Sequence, residues 1–301
     1  MRINRVLLAP ALIACFAVAA CGSDDEGGGS ASGGQKLSGE IRIDGSSTVG
    51  PFAEAAAELF NEENPDVRVT VGISGTGGGF EKFCAGETDI SDASRPIEDE
   101  ESALCQKNNV SYGEVQVAND GIAVVTNKDT SVACLTTDQL EEIWAPGSKD
   151  ASYKLFGPGT DSGTFDFFTD KINGVEGASR EDYEASEDDN QLVTGVAGTP
   201  NGLAYFGYSY YEQNQDKLNV VAVDGGSGCV KPSTQSIQDG SYAPLSRPLL
   251  MYPSDKAMRR PEVKAFMEFV VNNQQAISDA AKIVPMTHQQ VAEAKQELAG
   301  A

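Results

Sequence analysis

Three short turns hold the residues best suited to chemistry: Gly45-Ser46-Ser47-Thr48, Ser74-Gly75-Thr76-Gly77-Gly78 and Asp161-Ser162-Gly163-Thr164. Each follows a strand-like run and precedes a helix-like one. A helix N-terminus presents unpaired backbone N–H groups and about half a positive charge, glycine lets an anion approach the backbone, and hydroxyls add donors. One such turn alone is ordinarily a helix cap. Three brought together describe a cage for a small tetrahedral oxyanion. At about 1.5–3 kcal/mol per charge-assisted hydrogen bond, several such bonds suffice for a micromolar complex without a cluster of cations.

Other chemistries fit these residues less well. The Ser74 turn has neither Gly-x-Gly-x-x-Gly in register nor a Gly-Lys-Ser/Thr ending, so ATP and NAD are unsupported and no cofactor is expected. A hydrolase using Ser162 as nucleophile needs a base or metal ions to activate it. The only histidine is His288, which reads as a surface residue, and no Asp/His cluster accompanies it. The expectation is therefore a binding protein and not an enzyme. A site for sulfate or molybdate, or an adhesive or signalling role at the cell surface, is the alternative that the turns leave open.

The elements that must position these turns alternate. Ile41 and Ile43 mark a strand, Pro51 opens a helix over Phe52–Phe60, and Val67–Ile73 alternates as a second strand before Phe80 and Phe83 at helical spacing. After a strand-rich Val115–Thr126 come a helix around Leu140–Trp144, a strand at Leu155-Phe156, and a third strand-turn-helix unit with Phe165, Phe167, Phe168 and Ile172 on its helix. Strands are expected over Gly202–Tyr211, Leu218–Val223 and Pro248–Tyr252, and helices over Pro261–Asn272 and Gln289–Leu298. The order calls for an α/β architecture of mixed, mostly parallel sheets with helices on both faces.

Composition bounds the partners. The 301 residues are 40% hydrophobic and 22% charged, enough for two cores, and the net charge of −23 with no run of Lys or Arg argues against nucleic acid. The same field slows a free anion, so an anion site here must rest on local dipoles and donors.

Arg2 and Arg5 precede an apolar stretch, Val6–Ala20, too short to cross a bilayer and flanked like a signal peptide. Val18-Ala19-Ala20-Cys21 resembles a bacterial lipobox, which implies removal of residues 1–20, a lipid on Cys21 and attachment to the outer face of a membrane. Residues 21–36 read as a flexible tether. With Cys15 gone and Cys21 lipidated, Cys84, Cys105, Cys134 and Cys229 remain. An even set in an exported protein favours two disulfides over zinc. Of three possible pairings, nearest-neighbour reasoning prefers Cys84–Cys105 and Cys134–Cys229.

The stretches DGSSTVGPFAEAAAELF, GISGTGGGFEKFCAGETDISDASRPI, FGPGTDSGTFDFF, GVAGTPNGLAYFGYSYY and PLSRPLLMY resemble the substrate-binding subunits of phosphate ABC importers, from about Ile41 to the C-terminus. The resemblance implies a two-lobed periplasmic-binding-protein type II fold closing on inorganic phosphate, an ABC permease as partner, and a monomer. Carried onto this chain, it assigns Thr48 and Val49, with Ser47 beside them, to the first loop, Thr76 to the second, Ser94 to the third, and Ser162, Gly163 and Thr164 to the fourth. Lobe 1 is expected at residues 37–118 plus 246–301 and lobe 2 at 119–245, with the two crossovers as a hinge. Two positions depart from the family pattern. Ser94 stands where the family has an aspartate that accepts the phosphate proton and so excludes sulfate, and Pro158 stands where it has an arginine. Arg95 is the expected replacement cation. Asp161 is the first-ranked replacement acceptor, with Asp44 and Asp92 near the other loops.

Overall fold

The computed structural model describes residues 36–300 apart from positions 161 and 187; the expected leader, Cys21 and Asp161 lie outside the described residues. Among the described residues no helix is long and apolar enough to cross a membrane.

Ile41 and Ile43 turn inward from β1 (Gly39–Gly45), whereas Glu40 and Arg42 stay exposed. Pro51 sits in the first turn of α1 (Gly50–Glu63), which buries Phe52, Ala53, Ala56 and Phe60 on one face. β2 (Val67–Ile73) and β3 (Ile90–Ala93) pair parallel with the two sides of β1. Between them runs α2 (Gly75–Cys84), and after them α3 (Asp99–Lys107), opened by a Glu98/Glu101 capping box. The Cys84–Cys105 disulfide fastens α2 to α3.

The expected turn at Ser74–Gly79 is in fact only one residue long, because Gly75 to Gly79 already belong to α2. Glycine is a poor helix former, by about 1 kcal/mol per residue. Packing overrides it: a Cβ on Gly79 would stand 2.5 Å from the Gly45 Cα and 2.9 Å from the Asp44 carbonyl. Gly79 lets α2 lie directly on the end of β1.

The middle of the chain starts with β4 (Val115–Asn127), thirteen residues and almost wholly buried. There follow β5 (Cys134–Thr136), α4 (Thr137–Trp144), β6 (Lys154–Gly157), α5 (Gly163–Asn173), β7 (Glu184–Ala185) and α6 (Asp189–Gly198). Next come β8 (Gly202–Gly207), α7 (Tyr208–Glu212), β9 (Leu218–Val220), β10 (Ala222–Asp224), β11 (Cys229–Val230) and α8 (Thr234–Gln238). The chain returns through β12 (Ser246–Pro253) and ends in α9 (Asp255–Met258), α10 (Pro261–Asn272), α11 (Gln274–Ala281) and α12 (His288–Gly300), with His288 exposed at its start.

Two expected strands are shorter than the sequence pattern suggests. The aromatic run after Gly207 coils into α7, with only Tyr208 of it buried. Leu218–Val223 is broken at Val221, because β9 pairs with β4 whereas β10 pairs with β5 in another sheet.

The main sheet has nine strands in the order β2-β1-β3-β12-β4-β8-β6-β7, with β9 also on β4. Its parallel pairs lie toward the two ends. The centre is antiparallel, since β12 runs against both β3 and β4, and β4 against β8. In the three-stranded sheet β11-β10-β5, the Cys134–Cys229 disulfide joins the outer strands.

The buried apolar residues separate into clusters along the same lines. One runs from Ile122 to Leu245 with Val284 added, around Trp144, Phe168 and Tyr205. Another combines Ile41–Ala118 with Leu249–Leu298, around Phe52, Phe60 and Phe266. A small third one, with Phe80, Phe83 and Tyr252, lies under α2 and α3. Among the described residues, only β4 and β12 carry main-sheet hydrogen bonds from one of the two large clusters into the other.

Candidate functional site

β1, β2 and β6 each deliver the chain to a helix start, and the starts of α1, α2 and α5 converge on a cavity of about 420 Å³. Ser46, Ser47 and Thr48 line it from the first turn, Ser74 to Gly78 from the second, Ser94 to Pro96 from the end of β3, and Gly163 from the third. Neither α1 nor α2 has a side-chain cap or an acidic residue in its first turn, so their dipoles stay open to an anion.

The hydroxyls at these turns are already organised. Ser46 Oγ accepts the Thr48 N–H at 3.2 Å. Thr76 Oγ1 accepts the Ser94 N–H at 3.3 Å and lies 3.2 Å from Ser94 Oγ, so the second and third loops meet through this pair. Ser162 Oγ caps α5 by accepting the Thr164 N–H at 3.2 Å. Within that last turn Gly163 lines the cavity, and the expected ligand residues Ser162 and Thr164 do not. The Val49 side chain is fully buried in the apolar cluster, which leaves its backbone as the part able to meet a ligand.

The most buried cation of the site is one that the sequence reasoning missed. Arg247, on β12, donates from Nη2 to Thr48 Oγ1 at 2.6 Å and to the Gly163 carbonyl at 3.2 Å, and from Nε to Asp120 Oδ2 at 3.2 Å. Its guanidinium also stacks on the Phe167 ring, 3.8 Å from the centroid. Only 9% of the side chain is exposed. Burial pulls its pKa down and the neighbouring Asp120 carboxylate pushes it back up. The signal in the sequence was an arginine set between the buried Leu245 and Leu249 in a strand-like stretch.

Arg95, the cation expected at this place, lines the rim. Its guanidinium grips both oxygens of Glu101 at 2.9 Å and approaches Glu98 at 3.3 Å, and the Glu101 contact raises its pKa. Asp166, Asp170, Lys171 and Glu176 complete that rim, with Asp170 and Lys171 ion-paired to each other.

Two carboxylates lie beneath the turns. Asp44 accepts from the Ser74 hydroxyl at Oδ1 and from Lys82 Nζ at Oδ2, the latter at 2.7 Å. Asp92 is 1% exposed, neither of its side-chain oxygens has a partner among the described residues, and burial raises its pKa well above the ordinary carboxylate range. Its backbone carbonyl accepts the Ser46 N–H at 2.9 Å. Among the described residues no group of three or more His, Cys, Asp or Glu could hold a metal ion.

Residues 30–274 match the PBP superfamily domain. The phosphate-binding protein PstS of Staphylococcus saprophyticus is 40% identical over 303 residues, covering 96% of this chain and 92% of that protein. The crystal structure of a possible phosphate-binding protein from Planctomyces limnophilus superposes with a TM-score of 0.82 at 40% identity, covering 88% of this chain and 99% of that one. A putative phosphate ABC transporter substrate-binding protein from Clostridium perfringens, with bound phosphate, has a TM-score of 0.59 at 27% identity, covering 83% of this chain and 100% of that one.

Proposed function

The chain belongs to the PBP superfamily, among the PstS phosphate-binding proteins, and from that membership we propose that it binds inorganic phosphate outside the cytoplasm and delivers it to an ABC permease. The observation that carries this reading is the meeting of three helix starts with the buried Arg247 in one cavity. Backbone N–H groups and the Ser47, Thr48, Thr76 and Ser94 hydroxyls supply neutral donors, Gly163 permits the close approach, and Arg247 supplies the charge. This arrangement works against the protein's overall negative field because every contribution acts at hydrogen-bond range.

The two large apolar clusters support a division into lobes at residues 37–118 with 246–301, and 119–245, whose facing surfaces form the cavity. In this reading β4 and β12 act as the hinge, and Arg247 ties both lobes to it. The protein works by binding alone, as a monomer. The lipobox-like sequence before Cys21 supports a lipid anchor ahead of the tether.

Calorimetric titration of the phosphate-stripped protein tests the main reading. Micromolar or tighter binding of phosphate is expected, and no heat of binding up to millimolar phosphate would overturn it. Loss of membrane association in Cys21→Ser tests the anchor.

A further inference from the structure

The hydroxyls facing the cavity differ in where their protons can go. Ser46 Oγ and Thr48 Oγ1 each accept a hydrogen bond from an N–H group, so their own protons are available to a ligand. Ser74 is the reverse case. Its hydroxyl donates to Oδ1 of Asp44, and an ionised carboxylate can only accept. Lys82 pairs with the other carboxylate oxygen at 2.7 Å, which fixes the orientation of Asp44. Asp44 is also wedged against Gly72, where any Cβ would collide with its carboxylate. With its single proton committed, Ser74 has only lone pairs left to offer the cavity that it lines.

Resting on the phosphate reading above, we propose that Ser74, with its proton held by Asp44, is the hydrogen-bond acceptor that makes the site select an oxyanion still carrying a proton over one that carries none. Phosphate at neutral pH keeps at least one P–O–H, which donates to Ser74 Oγ. Sulfate has no proton to give and would set an anionic oxygen against the Ser74 lone pairs, an unpaired and repulsive contact. The Thr76 and Ser94 hydroxyls cannot impose this restriction. They lie against each other and not against a carboxylate, and either can turn to donate. Ser74 thereby fills the role left open at Ser94, from a different loop and through a neutral group backed by a charge.

The test is calorimetric titration of the full, phosphate-stripped chain with phosphate and with sulfate at neutral pH. It compares the parent with Ser74→Ala and with the charge-balanced double variant Asp44→Asn/Lys82→Gln. The parent should bind phosphate at least about a hundredfold more tightly than sulfate. Ser74→Ala removes the misplaced lone pairs and should narrow that ratio at least about tenfold. The double variant, whose amide can donate to Ser74 and free its proton for the ligand, should do the same. Circular dichroism shows whether each variant is folded; if Ser74→Ala is not, the double variant decides. A discriminating parent whose folded variants keep the parent ratio overturns the role of Ser74 and leaves the phosphate reading standing. A parent that binds both anions alike also overturns it. A parent that binds neither overturns the phosphate reading, and this inference with it.

Discussion

Gly163 and Thr48 lie in such close contact that a Cβ on the glycine would overlap the Thr48 hydroxyl and stand 2.7 Å from the Thr48 nitrogen. One residue opens α5 and the other lies just before the Val49 N-cap of α1, so a bare α-carbon is what lets the two helix starts come together.

Gly163→Ala should therefore weaken phosphate binding. Overpacking of this kind costs about 1–3 kcal/mol, or roughly five- to a hundredfold in affinity. Calorimetry measures the loss, and small-angle scattering with phosphate present should show a more expanded particle than the parent. Parent-like affinity would mean that the contact is not part of the bound geometry.

Arg247 and Asp120 make a second pair, directly opposite in the β4–β12 ladder. Arg247→Met should abolish measurable phosphate binding and destabilise the protein by about 3–5 kcal/mol, because Asp120 is left buried without its cation. Adding Asp120→Asn should restore most of that stability in urea unfolding while leaving binding lost. Recovery of binding by the double variant would show that Arg247 acts only by neutralising Asp120.

Asp92 gives the protein a specific pH response. Its folded pKa is raised well above the ordinary carboxylate value of 3.8, first by burial and then by the Asp44 charge. The folded state thus holds a proton that the unfolded chain releases. The stability this carries is complete below pH 3.8 and falls as pH rises toward the folded pKa. Asp92→Asn should accordingly be more stable than the parent at pH 8, by on the order of 1–3 kcal/mol, with the difference shrinking toward pH 4. Thermal melts at the two pH values check this; a difference that does not change with pH would show that Asp92 does not titrate in this way.

The two disulfides should differ in worth. Loop-closure entropy assigns about 3 kcal/mol to Cys84–Cys105, with a separation of 21, and nearer 5 kcal/mol to Cys134–Cys229, with a separation of 95. Cys134→Ser/Cys229→Ser should lower the denaturation midpoint more than Cys84→Ser/Cys105→Ser does. The opposite order would place the main effect in local packing under α2 and α3.

The sequence made the strand-turn-helix units legible because local patterns define them: Ile41 and Ile43 alternate, and Pro51 and Ser162 mark helix starts. The helical start at Gly75 was not legible, since its Gly79 is set by contact with Gly45, a residue of another element. The break at Val221 likewise reflects a change of pairing partner. In the site, the turns announced themselves through Ser, Thr and Gly at helix starts. Arg247 did not, because its meaning depends on Thr48, 199 positions away, and on Asp120, 127 positions away. Ser74 read as one more donor until the hydrogen bond from its hydroxyl to Asp44 reversed its polarity.

The pairing of β4 with β12 has a mechanical consequence. Gly121 faces Ser246 and Asp120 faces Arg247 across one strand spacing, so the intervening chain departs and returns through two tethers bonded side by side. A two-strand ribbon flexes readily out of its own plane, along the soft pleat direction, whereas in-plane shear would break the ladder between its strands. In the two-lobe reading proposed above, motion about this joint would be reduced to nearly one coordinate, like the cover of a book on its spine. In that reading Arg247, on the spine itself, would stay in place while the page edges bearing Thr48 and Gly163, its partners in the structure, swing toward it or away.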